Sequence, residues 1–217
     1  MMQLLIVLLA TVLLIRLLSY EYRRDQKGRL PTKTVLSSLF ILAAVAQPHP
    51  IPGYYYLLLV GLIFCLCGDV CLALPRERPL VLGLVVFLVG HLFYIFAFFY
   101  VSQTNLWAWV GILLAATTSS LVFFRLNPYL GTMKLPVFLY VVVITIMVIG
   151  AWSVLGDSSL ARSGRIMVFM GALGFYFSDL FVARNRFVKK DPLNRLIGLP
   201  LYYTGQFLLA FSVSLLK

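Results

Sequence analysis

The 217 residues are 62% hydrophobic and 12% charged, with a mean hydropathy of +0.98, whereas soluble domains sit near 45–50% apolar and about 25% charged. Crossing a hydrocarbon core of roughly 30 Å takes about 20 helical residues, so eight crossings use ~160 residues and leave only short loops. That excludes a soluble domain, a nucleic-acid module and a disordered tail, and the net charge of +11 reads instead as the Lys and Arg that cytoplasmic loops collect.

Apolar runs predict helices near 2–19, 34–47, 53–74, 80–101, 106–124, 135–155, 166–183 and 196–216. The first run lacks a basic leader and a small-residue cleavage site, and Arg16 closes it, so it reads as a retained span rather than a signal peptide. The second is short, bounded by Pro31 and by the breaker cluster from Pro48 to Gly53. The third holds all three cysteines, Cys65, Cys67 and Cys71. Neighbours two apart face different ways on a helix, so they read as packing residues. The runs are continuous rather than alternating, which favours helices over a barrel. The expected fold is all-α: one integral-membrane domain over residues 1–217, a polytopic bundle of about eight spans.

The basic residues orient it. The first connection holds Arg23, Arg24, Lys27, Arg29 and Lys33, and the third Arg76 and Arg78. The fifth adds Arg125 and Lys134, and the seventh Arg184, Arg186, Lys189, Lys190 and Arg195. The opposite side has only Arg162, Arg165 and Lys217. This asymmetry places the odd connections in the cytoplasm and both termini outside. A weak internal repeat is also visible. Gly61 to Asp69 matches Gly171 to Asp179 at both ends, Ala73 and Ala183 fall at one offset, and Gly90-His91 answers Gly205-Gln206. Two four-helix halves in parallel orientation would produce such a pattern.

Five acidic residues, Glu21, Asp25, Glu77, Asp157 and Asp191, read as solvated loop charges. Asp69 and Asp179 lie inside apolar spans, where a carboxylate is expensive and usually functional. Both precede cytoplasmic loops at a similar distance and so share one level in the inner half of the membrane. His91 stands deeper, with Tyr94 one turn beyond on the same face. Tyr140, Tyr202, Tyr203 and Gln206 enter from the cytoplasmic side, and Lys33 sits at the mouth of the second span. Two adjacent buried carboxyls are expected to titrate as a unit sharing one proton, which sets an acid beside a base. No Gly-x-Ser-x-Gly elbow, His-Glu-x-x-His zinc site or phosphate-binding loop is present in the sequence, so neither a metal nor another cofactor is expected.

Gly68-Asp69-Val70-Cys71-Leu72, Gly90-His91-Leu92-Phe93-Tyr94, Pro136 with Tyr140, Ser178-Asp179 followed by Ala183 and Phe187, and Tyr202-Tyr203 with Gln206 together resemble the YhhN/TMEM86 family of lysoplasmalogenases. The resemblance runs from about Lys33 to the last span. It departs at one point: the family commonly has Lys-Pro where Lys33 is followed by Thr34. It implies hydrolysis of the vinyl ether bond of a lysoplasmalogen to a fatty aldehyde and a glycerophosphoethanolamine or glycerophosphocholine, with Asp69 and Asp179 as the catalytic pair. His91, Tyr94, Tyr140, Tyr202 and Gln206 would then orient water or polar substrate atoms, and Lys33 would meet the lipid phosphate. The expected partners are a lysophospholipid and the bilayer, with a homodimer left open and no nucleic acid. The setting would be the inner membrane of a bacterium or an endoplasmic-reticulum-type membrane of a eukaryote. A proton-coupled transporter or flippase also places paired acids in a bundle. An intramembrane aspartyl protease shares the dyad but not the surrounding motifs, and a purely structural subunit needs no buried acids.

Overall fold

The computed structural model describes residues 1–23, 25–74 and 79–217. Arg24, Arg76, Glu77 and Arg78 of the charge count lie outside the described residues. Every regular element among the described residues is helical: α1 (Met2–Arg23), α2 (Gln26–Val45), α3 (Pro52–Ala73), α4 (Pro79–Val101), α5 (Leu106–Gly111), α6 (Thr117–Leu126), α7 (Lys134–Gly156), α8 (Arg162–Ala183) and α9 (Pro192–Leu215). A wider π-helical turn at Ile112–Ala116 joins α5 and α6 into one rod, so the described residues form eight rods. Seven of them are long and apolar enough to cross a membrane. This is a multi-pass membrane protein.

α2 is the remaining rod, and it departs most from the sequence reading. It starts eight residues before the predicted boundary at 34, and Pro31 lies inside it. The Asp25 side chain accepts from the Lys27 N–H at 2.9 Å and caps the first turn. Pro31 falls so near this capped end that its missing N–H frees only one early carbonyl, and the helix continues through it. Lys33 is thereby carried into the bundle instead of standing at its mouth. Asn105 and Asp191 cap α5 and α9 in the same way.

The rods repeat their packing after four. The third packs on the fourth (α3 on α4) and the seventh on the eighth (α8 on α9), and these are the two most extensive pairings. α2 lies on α3 as α7 lies on α8, while α4 crosses to α7 and α9 to α2. Glycine sets both close crossings. A Cβ on Gly90 would stand 3.1 Å from the Gly61 carbonyl oxygen, and one on Gly205 would stand 2.7 Å from that of Gly171. These four glycines are the repeat partners of the sequence, so the two halves share architecture as well as letters. Small residues let helix backbones approach where apolar burial itself gives no drive against lipid. Tyr54, Tyr94, Tyr203, Phe40, Phe98 and Phe175 fill the interior, while Leu4, Leu5, Leu8, Leu113 and Leu114 face outward.

Candidate active site

A cavity of about 560 Å³ opens among the ends of the helices that carry the odd connections. Asp69 and Asp179 both line it, with Lys33, Tyr140 and Tyr202. Each carboxylate lies four residues, about 6 Å of helix rise, from the last residue of its helix, Ala73 or Ala183. The equal depths follow from the repeat.

Asp69 is 1% exposed and fully engaged. Its Oδ1 takes the Lys33 ammonium at 2.8 Å. Its Oδ2 accepts from Ser37 Oγ at 2.6 Å and from the Tyr202 hydroxyl at 2.8 Å. In this structure Lys33 is thus paired with an aspartate inside the bundle. Ser37 was missed from the sequence, although it follows Lys33 by four positions and shares its helix face. Ser37 also stands 3.3 Å from the Tyr203 hydroxyl.

Asp179 is served differently. Tyr140 donates to its Oδ2 at 2.6 Å, and the carboxyl keeps a half-buried face on the cavity. The Ser178 hydroxyl, next to it, donates to the Gly198 carbonyl at 2.9 Å and ties α8 to α9. No hydrogen bond joins the two aspartates among the described residues; the donors divide them.

His91, Tyr94 and Gln206 stand behind the cavity wall rather than on it. His91 Nδ1 lies 2.6 Å from the Phe87 carbonyl, and its ring meets Phe175 and Tyr140 edge-on at centroid distances of 4.4 and 5.3 Å. Tyr94 donates to Gln206 Oε1 at 2.7 Å, a bond from one half of the repeat to the other. His91 and Gln206 thus hold the aromatic wall on which the phenols rest. His91 Nε2 and Gln206 Nε2 have no hydrogen-bond partner among the described residues.

The cavity mouth overturns one reading. Glu21, expected to be a solvated loop charge, has a buried side chain in the last turns of α1, where it pairs with Arg29 at 2.7 Å and with Arg195. This cluster fastens the ends of α1, α2 and α9 together. α8 does not stop at Ala183 but continues as a π-helical turn, Arg184–Val188, that brings Arg186 to the cavity. The apolar wall is supplied by Leu84, Val122, Leu126, Val137, Val141 and Ile144.

A multi-pass helical bundle with two carboxylates from equivalent helices in one amphipathic cavity defines a class of membrane proteins with an intramembrane acidic site. Within it, residues 28–213 match the model of the YhhN family, and the chain belongs to that family. It is similar to "Lysoplasmalogenase TMEM86A" of Homo sapiens, 33% identical over 159 residues, which cover 70% of this chain and 63% of the relative. It is also similar to "Lysoplasmalogenase TMEM86B" of Rattus norvegicus, 34% identical over 184 residues, covering 82% of this chain and 69% of the relative. The Sus scrofa TMEM86B lysoplasmalogenase is 33% identical over 183 residues, covering 83% and 72%. No solved structure matches the chain at a significant level.

Proposed function

We propose that the protein hydrolyses the vinyl ether bond of lysoplasmalogens, releasing a fatty aldehyde and a glycerophosphoethanolamine or glycerophosphocholine. The relatives' activity supports the reaction. One observation carries the division of labour: the two carboxylates share a cavity, and among the described residues only Asp69 has a cation on it.

An enol ether is hydrolysed by protonation at carbon. Asp179 supplies that proton to the vinyl carbon remote from oxygen, which leaves an oxocarbenium ion at the carbon bearing oxygen. Asp69 stays a carboxylate, fixed by Lys33, Ser37 and Tyr202, and lends its negative field to the cation without having to reorganise. Water then adds to the cation, and its proton passes to the Asp179 carboxylate. The hemiacetal collapses to aldehyde, and the glycerol oxygen leaves as an alcohol. One water is consumed, the bond from the vinyl carbon to the ether oxygen is broken, and Asp179 ends protonated as it began. Tyr140 orients Asp179, and the apolar wall receives the hydrocarbon chain. The cavity opens on the face that the basic asymmetry marks as cytoplasmic.

The test uses purified protein in non-ionic detergent with the 1-alkenyl, 1-acyl and 1-alkyl forms of one lysophospholipid. Aldehyde is expected from the 1-alkenyl form alone. Release of fatty acid from the ester would point to a lysophospholipase, and no turnover in open micelles would favour a transporter.

A further inference from the structure

The described charges lining the cavity fall into two levels. At the inner one Lys33 pairs with Asp69, and Asp179 stands at the same depth, bound by Tyr140. At the outer one Arg29, Arg186, Lys190 and Arg195 face a single carboxylate, Glu21. Glu21 is already shared between Arg29 and Arg195, so the mouth keeps a surplus of positive charge. Asn185 and Asn194 also line it. Asn194 accepts from Arg184 at 3.3 Å and donates to the Lys189 carbonyl at 2.9 Å, so the turn bearing Arg186 is held in place.

Spacing links the two levels. Arg29 precedes Lys33 by one turn of α2. The five bonds from the vinyl ether oxygen to the phosphorus of a 1-alkenyl glycerophospholipid reach about as far as one helical turn, roughly 5–6 Å. With the vinyl ether beside Asp69 and Asp179, the phosphate arrives at the guanidinium groups. Arginine suits this task, since its planar fork matches two phosphate oxygens and its charge does not depend on pH.

We infer that the mouth of the cavity, Arg29 and Arg195 across Glu21 with Arg186 and Lys190 beside them, binds the phosphodiester of the substrate and sets how deep the vinyl ether lies. This assignment rests on the proposed function for its ligand, but its test does not need turnover. Glu21 holds the two arginines apart from each other and ready, as a positioning residue. Bound phosphodiester offsets part of the positive surplus that one carboxylate leaves open.

The experiment measures binding of a non-cleavable 1-alkyl glycerophosphoethanolamine and of the matched 1-alkylglycerol, which lacks phosphate, to the full chain in non-ionic detergent free of other phospholipid. The wild type is expected to prefer the phosphodiester by about tenfold or more, a difference within the range of charge-assisted contacts. Arg29→Gln and, independently, Arg186→Gln with Lys190→Gln should erase most of that preference while leaving 1-alkylglycerol binding unchanged. Arg29→Lys should restore part of it. Excess inorganic phosphate should compete weakly, because it lacks the chain. Equal binding of the two ligands by the wild type overturns the inference, as does an equal loss for both ligands in the variants. Phosphate-selective binding without aldehyde release from the 1-alkenyl form would leave the inference standing and overturn the proposed reaction.

Discussion

The first four rods and the last four are built alike and furnished differently. Each half brings a carboxylate to the same depth on the helix that packs by glycine against its neighbour, Asp69 through Gly61 and Gly90, Asp179 through Gly171 and Gly205. The helix packed on the other side then differs. α2 offers Lys33 and Ser37 to Asp69, and α7 offers Tyr140 to Asp179. A repeated frame brings the two acids to one cavity. It does not decide what each does: among the described residues one half sets a cation on its acid and the other a phenol, which is the basis of the proposed split between anion and proton carrier. The symmetry is structural and the asymmetry is chemical.

Exchanging the acids for amides breaks the comparison most severely. Asp179→Asn removes the proposed proton donor, and general acid catalysis contributes typically 10²–10⁴-fold, so aldehyde release should fall by about that much with little change in thermal stability. Asp69→Asn should lose activity to a similar degree and stability as well. It strands the Lys33 ammonium, 6% exposed, and breaking a buried ion pair from one side costs about 3–5 kcal/mol. Activity and thermal unfolding measured on both variants in detergent check the difference. Equal destabilisation by the two would erase the distinction between the halves.

Lys33→Met sharpens the same point from the cation's side. It leaves Asp69 as an uncompensated buried carboxylate and should cost a similar roughly 3–5 kcal/mol, whereas the double variant Lys33→Met/Asp69→Asn should recover much of that loss. Activity should not return with stability. The comparison to make is the unfolding temperature of the three variants beside their rate of aldehyde release.

These partners also mark where the sequence was legible. Hydropathy gave seven of the spans because those rods are continuous apolar runs, and the Gly-to-Asp spacing revealed the repeat because both ends of it are held by packing and chemistry. Along the chain Pro31 and the five basic residues Arg23, Arg24, Lys27, Arg29 and Lys33 look like a loop, which makes the second span read too short. The Asp25 cap and the position of Pro31 near the helix start outweigh them, and only then does Lys33 reach Asp69. Ser37 escaped notice because a serine in an apolar helix carries no signal until the partner across it is known. Glu21 reads as solvated because nothing along the chain announces Arg195, which lies 174 positions away.

The glycine crossings differ in tightness, which predicts a smaller effect. A Cβ at position 205 would meet backbone on two sides, the Gly171 carbonyl oxygen at 2.7 Å and the Phe175 nitrogen at 3.1 Å. At position 90 the nearest atoms are the Gly61 carbonyl oxygen at 3.1 Å and the Cys65 sulfur at 3.2 Å. Overpacking a core costs typically 1–3 kcal/mol. Gly205→Ala should therefore fall near the upper end and Gly90→Ala near the lower, read as the difference in unfolding temperature.

The mildest test removes single hydroxyls. Tyr140→Phe and Tyr202→Phe each delete one donor while keeping the ring that packs against His91 or Phe175. Asp69 keeps Lys33 and Ser37 when Tyr202 is changed, so its carboxylate remains satisfied and the loss should be about 1 kcal/mol or less. Asp179 has no second hydrogen-bond donor among the described residues, so Tyr140→Phe frees the carboxyl to rotate in the cavity. Stability should change as little as in Tyr202→Phe, but kcat should drop several-fold further because the proton donor is no longer aimed. If the two variants reduce kcat equally, the phenol in the second half does no more than one of the three donors in the first.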